Sequence, residues 1–397
     1  MVAWVNSWIE HAIWWHVYPL GFGRLTKITG WLDYEVELGA NGLQLGPIFA
    51  SESHGYDTVD HFRIDPRLGD DADFDALIAA ARKKGVRVLL DGVFNHVGRG
   101  FQAPAHWFTG GDFEGHSSLR ELDHTQPEVL DHVVRVMDHW LERGADGWRL
   151  DAAYAVDPAF WKAALDRVRP KHPDAWFVGE VIHGDYRAIL RDSGLDALTQ
   201  YELWKAIWSS LNDGNFFELA WALERHAELL PAGLPMTFLG NHDVTRIASK
   251  LDDPRHLGHA IAILCTVAGV PSIYYGDEQA FRGVKEEREG GDDEIRPAFP
   301  DSRDSLSPLG WPTYRLYETL IGLRRRNPGI AHSPTTATHL TNTAVALRTG
   351  SLTLLLNVGD DEYRFPDIAP GAQVLESSEP AGEPALVPAH GWSVLTW

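Results

Sequence analysis

A closed (β/α)8 barrel, with a short loop excursion after its third strand and a small C-terminal antiparallel β-sandwich, is the architecture this sequence predicts. Three observations predict it. Eight short apolar runs recur along the first 330 residues, amphipathic helical patterns alternate with them, and beyond Pro328 both give way to short alternating segments rich in Gly, Pro and Asp. Alternation of strand and helix implies a parallel sheet, and eight repeats of it imply closure. The predicted boundaries are a barrel over 1–330, including an excursion over 97–126, and a β domain over 331–397.

In chain order the candidate strands are AIWWHVYPL, NGLQLGPI, VRVLLDGV, ADGWRLDA, AWFVGE, LDALT, LPMTFLG and VPSIYYGDE. Between them DADFDALIAAARKKG reads as a helix, with acidic residues in its first turn and Gly85 as its stop. PEVLDHVVRVMDHWLERG is another, with Leu130, Val133, Val134, Met137, Trp140 and Leu141 on one face before Gly144. One connection breaks the rhythm: GRGFQAPAHWFTGGDFEGHSSLRELDHTQ carries five glycines and little helical or strand periodicity, and reads as a loop over the barrel mouth. RGVKEEREGGDDEIRPAFPDSRDSLSPLG reads as a solvated loop before a last helix, WPTYRLYETLIGLRRRN. TAVALRT, SLTLLLNVG, GAQVLES and GWSVLTW then read as antiparallel strands. No tandem repeat or low-complexity tract interrupts the pattern.

Composition narrows the function classes. The chain has 56 acidic against 35 basic residues, a formal charge of −21, which repels a phosphate backbone and argues against nucleic acid as a partner. A single cysteine, Cys265, lies in the apolar run AIAILCTVAGV, so no intrachain disulfide is possible and a buried thiol is expected. The opening MVAWVNSWIEHAIWWHVYPL lacks the pattern of a secretory leader, and no run is long and apolar enough to span a bilayer, so a cytoplasmic protein without a membrane partner is expected. Sixteen tryptophans suit sugar faces, although most read as barrel core.

Acidic residues stand at the C-terminal ends of strands as Asp57, Asp91, Asp151, Glu180 and Asp243. In a barrel those ends share one face, where barrel enzymes keep their chemistry. Cleavage of a glycoside with retention needs two carboxyl groups about 5–5.5 Å apart, one ionised to attack and one protonated to release the leaving oxygen. The fourth and fifth strands are neighbours and can supply Asp151 and Glu180. Arg149, two residues before Asp151 and on the same strand face, is expected to hold that carboxylate ionised, while Glu180 among several carboxylates is expected to be pushed up.

These residues resemble the α-amylase family of glycoside hydrolases and transglycosylases, glycoside hydrolase family 13. DGVFNHVG, GWRLDAAYA, FVGEVIHG and FLGNHDVTR are similar to its four motif regions in order, and SHGYDTVDHFRIDPRLG and GVPSIYYGDE agree as well, so that the resemblance runs from about Trp14 to Asn327. It implies that Asp151 forms the covalent glycosyl intermediate, that Glu180 is acid and then base, and that Asp243 grips the 2- and 3-hydroxyls and stabilises the oxocarbenium-like charge. It implies further that His96 and His242 bond sugar hydroxyls, that Tyr56 stacks beneath the ring, and that Arg149 orients Asp151. Asp57 and Arg246 join the expected sugar-binding set, Asp57 also reading as a cap and Asp91 as a structural member of the mouth. Tyr201 and Trp204 follow the acid/base and are candidates for a second sugar.

Two departures matter. Many members carry Lys or His three positions after the nucleophile to contact the next sugar, where this chain has Tyr154. The first loop, PLGFGRLTKITG, lacks a DxNxDG-like calcium sequence; Asn95 matches a position that ligates calcium in many α-amylases, with Asp112, Glu114 and Asp123 as acidic candidates for a structural ion. No cofactor is needed for the chemistry, and no HxH or HExxH spacing suggests a metal hydrolase. The expected substrate is a maltooligosaccharide or a disaccharide with α-glucosidic bonds. A glucosyltransferase or isomerase would use the same intermediate with another acceptor, and a non-catalytic sugar-binding or scaffold relative would have no need of the carboxylate trio.

Overall fold

Residues 8–288, 290–369, 371–380 and 382–396 are described in a computed structural model. Residues 1–7 of the opening read against a leader, Glu289 of the charged loop, and Trp397 at the end of the last predicted strand lie outside them. Two compact units make up the chain: Met1–Thr199 with Arg296–Asp301, and Gln200–Ile295 with Ser302–Trp397.

The first unit holds six parallel strands: β1 (Trp14–Val17), β2 (Gly42–Leu45), β3 (Arg87–Gly92), β4 (Gly147–Leu150), β5 (Trp176–Gly179) and β6 (Ala197–Leu198). Each pairs with the next in sequence, so chain order is spatial order. The register sets Asp91 beside Arg149 and Leu150 beside Gly179. Gly147 permits it, because a Cβ there would stand 2.1 Å from the Trp176 carbonyl oxygen. β1, β2, β4 and β5 are buried along their whole length, as expected of a parallel sheet covered on both faces. Trp14 and Trp176 stack within it, ring centroids 5.7 Å apart.

The helix over Asp71–Lys84 starts at a capping box, with Asp70 accepting from Ala72 and Asp73, and stops at Gly85, whose φ of 72° suits a residue without Cβ. The helix over Pro127–Glu142 buries Val133, Val134, Met137, Trp140 and Leu141, as its periodicity predicts, but Leu130 of the predicted face is only half-buried and Val129 is buried in the first turn instead. The excursion is more ordered than its composition suggests. His96–Gly98, Leu119–Leu122 and Phe108–Asp112 form a three-stranded antiparallel sheet, whose central strand Leu119–Leu122 pairs with His96–Gly98 from across the excursion and with Phe108–Asp112 in an irregular register, so that neither pairing shows as local alternation. A hairpin of Phe49–Ser51 and Thr58–Ile64 was hidden for a similar reason, its register being shifted twice.

The second unit holds the parallel pair β7 (Met236–Phe238) and β8 (Val270–Tyr274), in register from Met236 opposite Val270. Its helices include Tyr201–Asp213, Phe216–Ala227, Leu257–Thr266 and Trp311–Arg326. Cys265 is buried in the third of these, and burial pushes its thiol up to about 12, as befits an inert residue. A five-stranded antiparallel sheet follows, in the order Thr335–Leu340, Ala344–Thr349, Leu352–Asn357, Trp392–Thr396, Gln373–Ser377. A short pair, Tyr363–Arg364 with Leu386–Val387, accompanies it, and Ala344, Ala346, Leu355, Phe365, Val387 and Leu395 form the core of this region. Thr335–Leu340 is a strand that the sequence reading passed over. No helix among the described residues is long and apolar enough to cross a membrane.

Candidate active site

Alternation along β4 puts Arg149 on the same face as Asp151, the residue that follows the strand, and register puts Asp91 of β3 alongside. Glu180 follows β5, its backbone N–H donating to the Leu150 carbonyl at 2.9 Å. One buried guanidinium therefore meets three buried carboxylates. Arg149 donates through Nη1 to both oxygens of Asp91 and to Oδ1 of Asp151, each at 2.8 Å, and through Nη2 to Glu180 Oε1. One guanidinium thus holds both carboxyl groups that double displacement would need.

The sequence predicts contact between Arg149 and Asp151; the reach of the same arginine to Glu180 is new. Glu180 Oε2 also accepts the Ala152 N–H at 3.1 Å, a donor aimed by the left-handed backbone at Ala152, whose φ is 44°. Both donors face the carboxylate that is left after a leaving group has taken its proton. Asp91 carries the opposite imbalance. Burial pushes it up to about 8, with Asp151 and Glu180 adding to the rise and Arg149 opposing it. The Tyr56 hydroxyl donates to Asp91 Oδ2 at 3.0 Å, which orients the ring expected beneath the sugar.

His96 is buried on the strand His96–Gly98, and Phe113 of the excursion stacks on its ring at 4.4 Å and 13°. Burial lowers His96 to about 4, so it is neutral at pH 7, and its Nε2 is a buried atom with no protein partner. Phe113 had no sequence signal, because the excursion has no motif of its own. Asp57 turns inward: it accepts from the Ser53 hydroxyl and, at 3.2 Å, from the His54 N–H, which makes it a brace of its own loop. Tyr154 is half-buried, its hydroxyl donating to Glu114 at 2.7 Å and its ring packed against His183.

In the second unit Asp243 is more than one-third exposed, with its carboxylate 2.8 Å from His242 Nε2 and its N–H bonded to Asn241 Oδ1. Tyr201 accepts from Asn241 at 2.7 Å and packs on Phe238, while Trp204 donates to the Leu239 carbonyl at 3.1 Å. These contacts make both aromatic residues supports of the Asn241–Asp243 turn. Arg246 corrects an expectation. It is fully buried, donating to Asp277 at 2.9 Å and to the carbonyls of Tyr275 and Ile295, and so holds the fold together rather than facing sugar. Asp277 lies 31 positions away, beyond the reach of a motif.

The calcium candidates have separate partners. Asn95 is buried next to His96, Asp112 pairs with Arg99, Glu114 accepts from Tyr154, and Asp123 accepts from Thr125 and Gln126. Among the described residues these carboxylates form no three-membered ligand group.

The family profile described as "Alpha amylase, catalytic domain" matches residues 12–111 and 112–308. Neopullulanase 2 of Thermoactinomyces vulgaris is 31% identical over 338 residues, covering 77% of this chain and 56% of that protein. An intracellular maltogenic amylase of Bacillus subtilis (strain 168) is 28% identical over 337 residues, covering 70% of this chain and 57% of the relative. The chain thus spans a little over half the length of these curated relatives. The ligand-free cyclic α-maltosyl-(1→6)-maltose hydrolase of Arthrobacter globiformis superposes with a TM-score of 0.83 at 24% identity, covering 99% of this chain and all of that one. That likeness shows the fold, a (β/α)8 barrel followed by an antiparallel β domain, as the strand pattern predicted.

Proposed function

The chain belongs to the α-amylase family, and on that premise we propose that it is a retaining α-glycosidase of maltooligosaccharides, linear or cyclic. The observation that carries the reading is the fork of Arg149, which presents Asp151 and Glu180 together. Asp151, ionised against the guanidinium, attacks the anomeric carbon while Glu180 gives its proton to the leaving oxygen. The contacts of Glu180 with Arg149 and Ala152 then stabilise the carboxylate that draws a proton from water and frees the sugar. Asp243 is assigned the sugar hydroxyls and the developing positive charge. His96, neutral and with a buried Nε2, suits a hydroxyl partner. The relatives named neopullulanase and maltogenic amylase support the substrate class. The chemistry calls for no metal, because carboxyl groups supply nucleophile, acid and base. A cytoplasmic place is part of the proposal, supported by the lone cysteine and by the name of the B. subtilis relative.

The test is the anomeric form of the first product from a maltooligosaccharide, followed by NMR, with Asp151→Asn alongside. Initial α-product is expected, with turnover in the variant reduced by at least about 10³-fold and its unfolding midpoint close to that of the parent. Initial β-product, or near-parental turnover in the variant, refutes the assignment. Products longer than the substrate would mark transfer to a sugar acceptor through the same intermediate.

A further inference from the structure

A second group of chemistry-bearing side chains lies wholly within the second unit and serves no purpose in glycoside cleavage. The turn after Leu386–Val387 carries His390 to the short helical turn Pro254–His256, across 134 positions of sequence. His256 Nε2 stands 3.0 Å from His390 Nδ1, and Asp253 Oδ2 stands 3.9 Å from that same nitrogen. One ligand atom from each of the three residues lies within 4.8 Å of the others. The two imidazole rings are stacked at 27°, and His256 is buried.

The other nitrogen of His390 decides how this group behaves. His390 Nε2 lies 2.9 Å from Asp360 Oδ1, placed to accept a hydrogen bond from the ring N–H. Nδ1 is then a lone pair directed at Asp253 and His256, the arrangement by which a carboxylate orients a metal-binding histidine. Arg255 donates through Nε and Nη2 to Asp253 Oδ2 at 3.0 and 2.6 Å, and a carboxylate offers further lone pairs beyond those two bonds. Tetrahedral zinc with bonds of about 2.0–2.1 Å separates its ligand atoms by about 3.3 Å. The separations of 3.0 and 3.9 Å bracket that value. Asp253 is partly exposed and Asp360 almost fully so, which leaves a path for an ion and a place for a water as fourth ligand.

We propose that Asp253, His256 and His390 form a three-ligand site for a divalent transition-metal ion of the zinc class, with Asp360 orienting His390. Imidazole with one carboxylate selects such an ion over calcium, which takes six or more oxygens. The ion ties residues 253–256 to the turn at His390, so its binding appears as stability and not as turnover.

The test uses the full chain, stripped with EDTA and dialysed, then titrated with zinc by calorimetry and with Co²⁺ by visible absorption. One zinc ion per chain with micromolar or tighter Kd is expected, and an unfolding midpoint raised by about 3 °C at a hundredfold excess over Kd. Co²⁺ should give the intense bands of tetrahedral coordination. His390→Asn, chosen because asparagine tolerates the left-handed φ of 52° at this position, should weaken zinc at least 100-fold and abolish those bands. Asp360→Asn, an exposed change that leaves the fold alone, should weaken zinc about 10-fold. No zinc uptake by the parent at 100 µM, or equal affinity in parent and His390→Asn, overturns the proposal. So does a weak octahedral Co²⁺ spectrum in the parent.

Discussion

Asp91 is the residue at which burial and ion pairing pull hardest against each other. Its carboxyl is pushed up to about 8, so the folded chain keeps a proton that the unfolded chain has released by about pH 4. The stability this group contributes is therefore fully present below about pH 4 and is lost as pH rises through about 8. Asp91→Asn keeps the shape and removes the titration. The stability of that variant relative to the parent should rise between about pH 5 and pH 8, by up to about 1.4 kcal/mol per pH unit, and level off above. Denaturant unfolding at four pH values measures it, and a flat difference would show that Arg149 keeps Asp91 ionised throughout. The identities of Asp91, Arg149, Asp151 and Glu180 were legible in sequence because strand ends carry them at a period of two. The hold of Arg149 on Glu180 and the left-handed turn at Ala152 were not, since both arise from register between strands that no single segment encodes.

The helix Leu25–Leu38 shows what an element tolerates when its packing is otherwise apolar. Glu35 is fully buried in it, with both carboxylate oxygens lacking a hydrogen-bond partner among the described residues, and burial raises its carboxyl well above the ordinary range. A buried polar group without a partner costs about 1–3 kcal/mol. Glu35→Leu should accordingly stabilise the protein by about that amount at pH 5. The gain should increase toward pH 8, since a group with a raised folded value loses its stabilising contribution as pH rises. Chemical denaturation of the pair checks this; a variant less stable than its parent at both pH values would mean that the carboxyl has a partner in solution. At this scale too, periodicity showed the helices that bury one face, and it missed elements held by distant partners. The excursion is the example, where His96–Gly98 finds its strand partner only in Leu119–Leu122, with Glu121 opposite His96.

Across the whole molecule, the sequence shows nineteen histidines but not which are interior. Burial lowers His61, His96, His226 and His259 to about 4 and His132 to about 3. For each, the unfolded chain binds a proton below about pH 6.5 that the folded chain refuses, so stability is present above that value and lost as pH falls. Asp91 and Glu35 act with opposite sign, holding protons in the folded chain that the unfolded one has released. Stability should therefore fall as pH drops below about 6.5, where the unfolded histidines take protons, and again as pH rises through about 8, where Asp91 loses its own. On the acid side the five histidines dominate; on the alkaline side the two carboxyls do, reinforced by self-repulsion in a chain of formal charge −21. Calorimetric midpoints from pH 4.5 to 9, at constant ionic strength and with EDTA present so that no metal reaches His256 or His390, should trace a dome whose maximum lies between those two limits. A maximum below pH 5.5 would mean that the buried histidines take protons without unfolding, and that the interior around His61 and His132 is open to water.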